Sequence, residues 1–146
     1  AFKFVAEDAE FMWSDEETAY YTADGYDRDG YTYVDLYRYA NGESTRVAQD
    51  ILDARVSVYE DGNIYVYTDA SSRGVELTWI GKDANRTMVA DDVQQYIRMD
   101  KNNLLYIQDG ELYNYNGKEK TRLASDITRF WVASPMKAEA AFGTSD

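Results

Sequence analysis

Ile64-Tyr65-Val66-Tyr67 and Leu104-Leu105-Tyr106-Ile107 are apolar or aromatic at every position, and their reading decides the fold. A strand with one wet face alternates apolar and polar residues. Bulky side chains in unbroken succession instead need cover on both faces. Both stretches lie next to turn dipeptides, Asp61-Gly62 before the first and Asp109-Gly110 after the second. Asn41-Gly42 and Asn116-Gly117 punctuate the chain in the same way. Flanked by β-formers, such pairs demand positive φ and are the strongest local hairpin signal.

Working outward, each stretch is the second strand of a unit of about 40 residues. First strands include Phe11-Met12-Trp13, Val56-Ser57-Val58-Tyr59, Tyr96-Ile97-Arg98-Met99 and Phe130-Trp131-Val132. Ala19-Tyr20-Tyr21-Thr22 is the remaining second strand, and third strands read Leu36-Tyr37-Arg38-Tyr39, Leu77-Thr78-Trp79-Ile80 and Leu112-Tyr113-Asn114-Tyr115. The fourth strand carries the most regular signal: Val5-Ala6-Glu7-Asp8, Val47-Ala48-Gln49-Asp50, Val89-Ala90-Asp91-Asp92 and Leu123-Ala124-Ser125-Asp126. In the last three, Ile51, Val93 or Ile127 follows.

The expected fold is therefore all-β, with tandem four-stranded antiparallel meanders stacked as β-propeller blades, since stacking covers both faces of a second strand. A β-sandwich is the alternative, and would leave one face wet. Residues 1–146 form a single repeat domain, with units at 10–51, 52–93 and 94–127 and partial blade strands at 1–9 and 128–146. Three blades fall short of the usual closed ring, so the reading leans to an excerpt of a larger propeller over a compact module. A helical turn or two is expected only at 136–142.

The chain carries 27 acidic residues against 15 basic, a net charge of −12. Such a surface repels phosphate backbones and anionic membranes, so nucleic acid is not an expected partner. No apolar run is long enough for a membrane helix, and direct membrane insertion is not expected. The absence of cysteine and histidine excludes disulfides, His-based catalytic triads and Cys nucleophiles, and takes away the usual zinc ligands. Tyrosine occurs 14 times; it suits strands and surfaces with one wet end.

Tyr67-Thr68-Asp69, Tyr106-Ile107-Gln108-Asp109, Asp109-Gly110-Glu111-Leu112-Tyr113 and Leu123-Ala124-Ser125-Asp126-Ile127 resemble a β-propeller repeat of surface and membrane-anchored proteins of Gram-positive gut bacteria. That repeat is distantly similar to the YWTD propellers of the LDL-receptor-related proteins. The resemblance covers most of residues 1–134, without a repeated Tyr-Trp-Thr-Asp. It implies extracellular or bacterial cell-surface display.

Three sets of residues stand out. Tyr26, Tyr31, Tyr33 and Trp79 could form a sugar platform, because ring faces stack on sugar C–H faces; ordinary cross-strand pairing and inter-blade packing are the plainer roles. Asp24, Asp27 and Asp29 supply part of a calcium-binding oxygen set, although Gly25 and Leu36 stand where an EF-hand loop needs acids; the plainer role is a polar hairpin loop. The recurrent Asp8, Asp50, Asp92 and Asp126 read as structural, accepting backbone N–H bonds where one unit passes to the next. No carboxylate pair is marked for glycoside hydrolysis, so the expectation is a non-enzyme, with a carboxylate-based glycosidase as the minor alternative. The expected function is a non-catalytic binding module taking a protein or carbohydrate ligand. The alternatives are a carbohydrate-binding module assisted by calcium and a structural spacer. Unpaired blade edges offer a route to association.

Overall fold

Antiparallel pairing builds every element of the computed structural model, which describes residues 10–14, 17–59, 61–127 and 140–141. The strands are β1 (Glu10–Ser14), β2 (Thr18–Arg28), β3 (Tyr31–Ala40), β4 (Glu43–Leu52), β5 (Val56–Val58), β6 (Ile64–Ser71), β7 (Gly74–Ile80), β8 (Arg86–Asp100), β9 (Asn103–Gln108), β10 (Glu111–Tyr115), β11 (Lys120–Ala124) and β12 (Ala140–Ala141). The protein is all-β, with no helix among the described residues. Ala140 and Ala141, which fall both in the expected partial blade strand of 128–146 and in the expected helical turn of 136–142, pair with Val58 and Ser57 as a strand.

Two-residue turns close the hairpins where both central residues take positive φ: Asp29-Gly30 at 53° and 83°, Asn41-Gly42 at 55° and 79°, and Asp109-Gly110 at 50° and 75°. Asn and Asp tolerate this region because their short polar side chains bond locally, and glycine has no Cβ to clash. At Asp61-Gly62 and Asn116-Gly117 the glycine takes the positive φ, 86° and 98°.

Strands β1 to β4 form one four-stranded sheet in chain order. The second sheet runs β11-β10-β9-β8-β7-β6-β5-β12 and holds two further meanders. Strand β8 belongs to both: its first half pairs with β7 and its second half, from Val93 onward, with β9. Asp92, at φ 49°, marks the bend between the halves. Asp50, near the end of β4, and Asp126, just past β11, hold the corresponding places at φ 56° and 58°. Neither sheet is closed on itself.

The meanders share a cross-strand register. Tyr20 lies opposite Arg38, Tyr65 opposite Trp79, and Leu105 opposite Asn114. Their immediate neighbours Tyr21–Tyr37 and Tyr106–Tyr113 are also opposite pairs, with rings stacked at 5.1 and 5.2 Å.

Successive residues of β6 enter different cores. Ile64 and Val66 pack with Tyr20, Val34, Leu36, Ala48 and Ile51 of the first meander. Tyr65, and beside it Tyr67, joins Tyr96, Leu104, Tyr106 and Tyr115 of the third. Ile64, Tyr65 and Val66 are 2%, 6% and 0% exposed, so the middle strand is covered on both faces. Complete burial of a Val, Ile or Leu side chain contributes about 1.5–3 kcal/mol. The first core is mainly aliphatic and the second rich in tyrosine, which accounts for much of the tyrosine content.

The outer strands are exposed and charged. Arg46 on β4, Arg86 at the start of β8, and Lys120 and Arg122 on β11 are all open to water. Charge on an outer edge opposes strand addition by another chain. The expected partial blade strands at 1–9 and 128–146 lie outside the described residues, apart from Ala140–Ala141.

Candidate functional site

The stretch from Asp24 to Tyr33, expected as a polar hairpin loop, is paired strand on both sides of its turn. Strands β2 and β3 continue through it as a twisted ribbon, pairing Tyr26 with Tyr33, Asp27 with Thr32 and Arg28 with Tyr31. A bulge between Ala23 and Tyr26, with Asp24 at φ 60°, lets the ladder resume after Gly25. An extra residue in one strand re-aims the side chains beyond it.

On this ribbon Tyr26 and Tyr33 stack on each other at 5.6 Å and 17°. The Arg28 guanidinium lies 4.4 Å from the Tyr33 ring centre, and Tyr33 is only 3% exposed. The Tyr26 hydroxyl donates to Asp50 at 2.9 Å, which raises the Tyr26 pKa. Tyr26 and Tyr31 remain about two-fifths exposed, at 39% and 40%. Tyr33 therefore serves packing, and the ribbon presents two rings rather than three.

The acids of the ribbon are committed to hydroxyls. Tyr37 donates to Asp24 at 2.6 Å and Thr32 to Asp27 at 2.8 Å. Asp29 forms the turn. Among the described residues no group of three or more acids is arranged to hold a metal ion.

Asp50 and Asp92 also receive side-chain donors: Tyr26 on Asp50, and on Asp92 the Ser71 hydroxyl at 3.4 Å, with Arg73 at 3.7 Å. Asp50, Asp92 and Asp126 share the left-handed backbone that the passage between meanders requires. Asp8 lies outside the described residues.

Trp79 stands apart from the ribbon tyrosines, in the second meander. Its indole N–H donates to Asn63 Oδ1 at 3.0 Å, and its ring meets Tyr115 edge to face at 6.5 Å. It lines a cleft of about 270 Å³ between the second and third meanders, with Asn63, Tyr65, Arg98, Asn103 and Tyr115. One wall is the cross-strand pair Tyr65–Trp79 and the other the pair Leu104–Tyr115.

A cleft of about 460 Å³ between the first and second meanders has the equivalent walls, Tyr20–Arg38 and Ile64–Ile80. Arg38, Trp79 and Asn114 thus occupy one position in three successive meanders. In the third, the Asn114 Nδ2 donates to Asn103 while its Oδ1 is buried without a partner.

The Trp79 cleft has a rigid floor. Arg98, 2% exposed, donates twice to Asp61, at 3.1 and 2.7 Å, and lies over the rings of Tyr59 and Tyr65. Burial opposes the charge of both partners, but their mutual bonds outweigh it: the Asp61 pKa is lowered and that of Arg98 raised. The Asn63 backbone N–H donates to Asp61 while its side-chain oxygen accepts from the indole, and Asn103 Nδ2 donates to Asp100, which fixes both side-chain amides beside the ring. Burial also pushes the Tyr65 hydroxyl up to about 12. The result is a concavity of mixed polar and apolar character with one half-buried indole and several fixed amides.

No protein-family model, curated protein or solved structure matches the chain. The chemistry of the clefts therefore carries the functional argument. Asn63, Arg98, Asn103, Tyr115 and the Arg38 position were not singled out from sequence. Superposing the three third strands places Arg38, Trp79 and Asn114 in register, and that was the available signal.

Proposed function

We propose that the chain is a non-catalytic binding module of stacked β-propeller blades, and that it takes a neutral saccharide in the cleft between its second and third meanders. The observation that carries this reading is Trp79. Its indole N–H is tied to Asn63 and its ring borders a cleft lined by the amides of Asn63, Asn103 and Asn116. Sugars are recognised by that combination: C–H faces stack on an aromatic ring while amides exchange hydrogen bonds with hydroxyls.

Propeller-type stacking is supported by the order of cover: the second meander lies between the first and third, through two separate cores. Display at a bacterial surface is supported by the resemblance of the Leu-Ala-Ser-Asp-Ile and Asp-Gly-Glu-Leu-Tyr segments alone.

A glycan array tests the reading, run with and without chelator. A hit that Trp79→Ala abolishes, with the melting temperature retained, is the expected result. A chelator-sensitive hit would add calcium to the account. An array without any hit removes the saccharide assignment.

A further inference from the structure

We propose that the cleft between the first and second meanders is a second binding site, selective for small anions with an apolar body, such as an aliphatic carboxylate. It does not depend on the saccharide reading, since it uses other residues in another cleft.

The cleft has an apolar floor from Tyr20, Val47, Ile64 and Ile80, and at its rim Arg38 from the first meander and Lys82 from the second. These cations are unusual in a chain of net charge −12. Arg46, Arg73, Arg98 and Arg122 pair with carboxylates. Arg28 and Arg55 lie over tyrosine rings, and Arg86 reaches the Gln49 carbonyl. Arg38 alone of the described arginines has no such partner, although its position in the next meander is the one filled by Trp79.

Lys82 is held at the rim by its stem, which crosses the Gly62 turn so closely that a Cβ there would lie 3.2 Å from Lys82 Cγ. Asp83 also lines the cleft, but its two oxygens accept from the Asn85 N–H and side-chain amide at 3.1 and 2.6 Å. Two cations without acid partners thus face one acid occupied by its own turn. Their charge is matched by one anionic head, and the apolar floor by a short hydrocarbon chain.

Strand direction places this cleft at the end of the stack opposite Asp50 and Asp92. The β3–β4, β5–β6 and β7–β8 turns lie at the cleft end, whereas the left-handed aspartates and the Asp29-Gly30 and Asp109-Gly110 turns lie at the other. An anion approaching the cleft therefore avoids the most acidic turns.

Hexanoate, with hexanol as its neutral counterpart, tests the site by amide chemical shifts of the whole chain. Hexanoate should shift Gly62, Arg38 and Gly81 through Ala84, and should bind about five- to tenfold more tightly than hexanol, as two exposed charge contacts allow. Arg38→Gln with Lys82→Gln should remove that preference without changing the melting temperature, because both side chains are exposed. Equal binding of hexanol, shifts scattered away from the cleft, no shifts with either compound, or a preference retained in the double variant would each overturn the proposal.

Discussion

The Arg98 guanidinium and the Asp61 carboxylate meet in a two-pronged ion pair, at 3.1 and 2.7 Å, that joins the third meander to the β5–β6 turn of the second. The side chain of Arg98 is 2% exposed and that of Asp61 13%. Asp61→Ala would leave the guanidinium without its counter-charge, and should lower stability by about 3–5 kcal/mol in urea unfolding. Arg98→Met, which fills the same space without a charge, should cost clearly less. Equal losses would show that packing, not the charge, holds the joint.

The same pair gives an acid-sensitive component of stability. Burial resists ionisation of Asp61, yet the bonds from Arg98 and the Asn63 N–H hold its pKa below the ordinary 3.8. A depressed folded value means that the contribution is complete above the unfolded value and is lost as pH falls through the folded one. Urea midpoints followed downward from pH 5 should therefore fall less steeply in Asp61→Asn than in the natural chain. Parallel slopes would contradict the assignment.

Tyr37 should titrate late for a half-exposed tyrosine. Its hydroxyl donates to Asp24, and the bond together with burial and the nearby charge moves it from 10.0 to about 12. Because the neutral phenol is the bonded form, the contribution is whole below about 10 and disappears as pH rises through about 12. Asp24→Asn should bring the Tyr37 ring signal in NMR titration back toward 10, while Tyr65 and Tyr106, raised to about 12 by burial, stay where they are.

The bend of β8 depends on backbone rather than carboxylate chemistry. Asp92 sits at φ 49°, so Asp92→Ala should be less stable than Asp92→Gly by about 1 kcal/mol, the left-handed cost of a Cβ. Gly74 packs against the same bend: at φ 150°, a Cβ there would stand 2.6 Å from the Val93 carbonyl oxygen and 2.7 Å from the Asp92 carbonyl carbon. Gly74→Ala should accordingly cost about 1–3 kcal/mol by overpacking. Thermal melts of the three variants check both statements.

The strands and their antiparallel order were legible because apolar runs and Asn-Gly or Asp-Gly turns are local signals. Asp24 to Tyr33 reads as a loop for the same reason: Asp and Gly mark turns, and a bulge that restarts the Tyr26–Tyr33 ladder leaves no separate mark. The recurrent aspartates were read through their carboxylates, whereas Asp50, Asp92 and Asp126 share a backbone conformation that composition does not show. Arg98 looks like an ordinary strand residue until packing brings Asp61 beneath it. The clefts were hidden because each draws its walls from two meanders, and only tertiary stacking sets Tyr65–Trp79 against Leu104–Tyr115.

The most direct test of the stacking concerns Val66 and Tyr65, adjacent in β6. Methyl and aromatic nuclear Overhauser spectra should connect Val66 to first-meander methyls of Leu36 or Ile51, and the Tyr65 ring to that of Tyr96, whose centre lies 6.2 Å away. Cross-peaks on both sides are the predicted result. A β6 whose one face exchanges with water and shows no inter-meander contact would contradict the architecture on which both clefts are built.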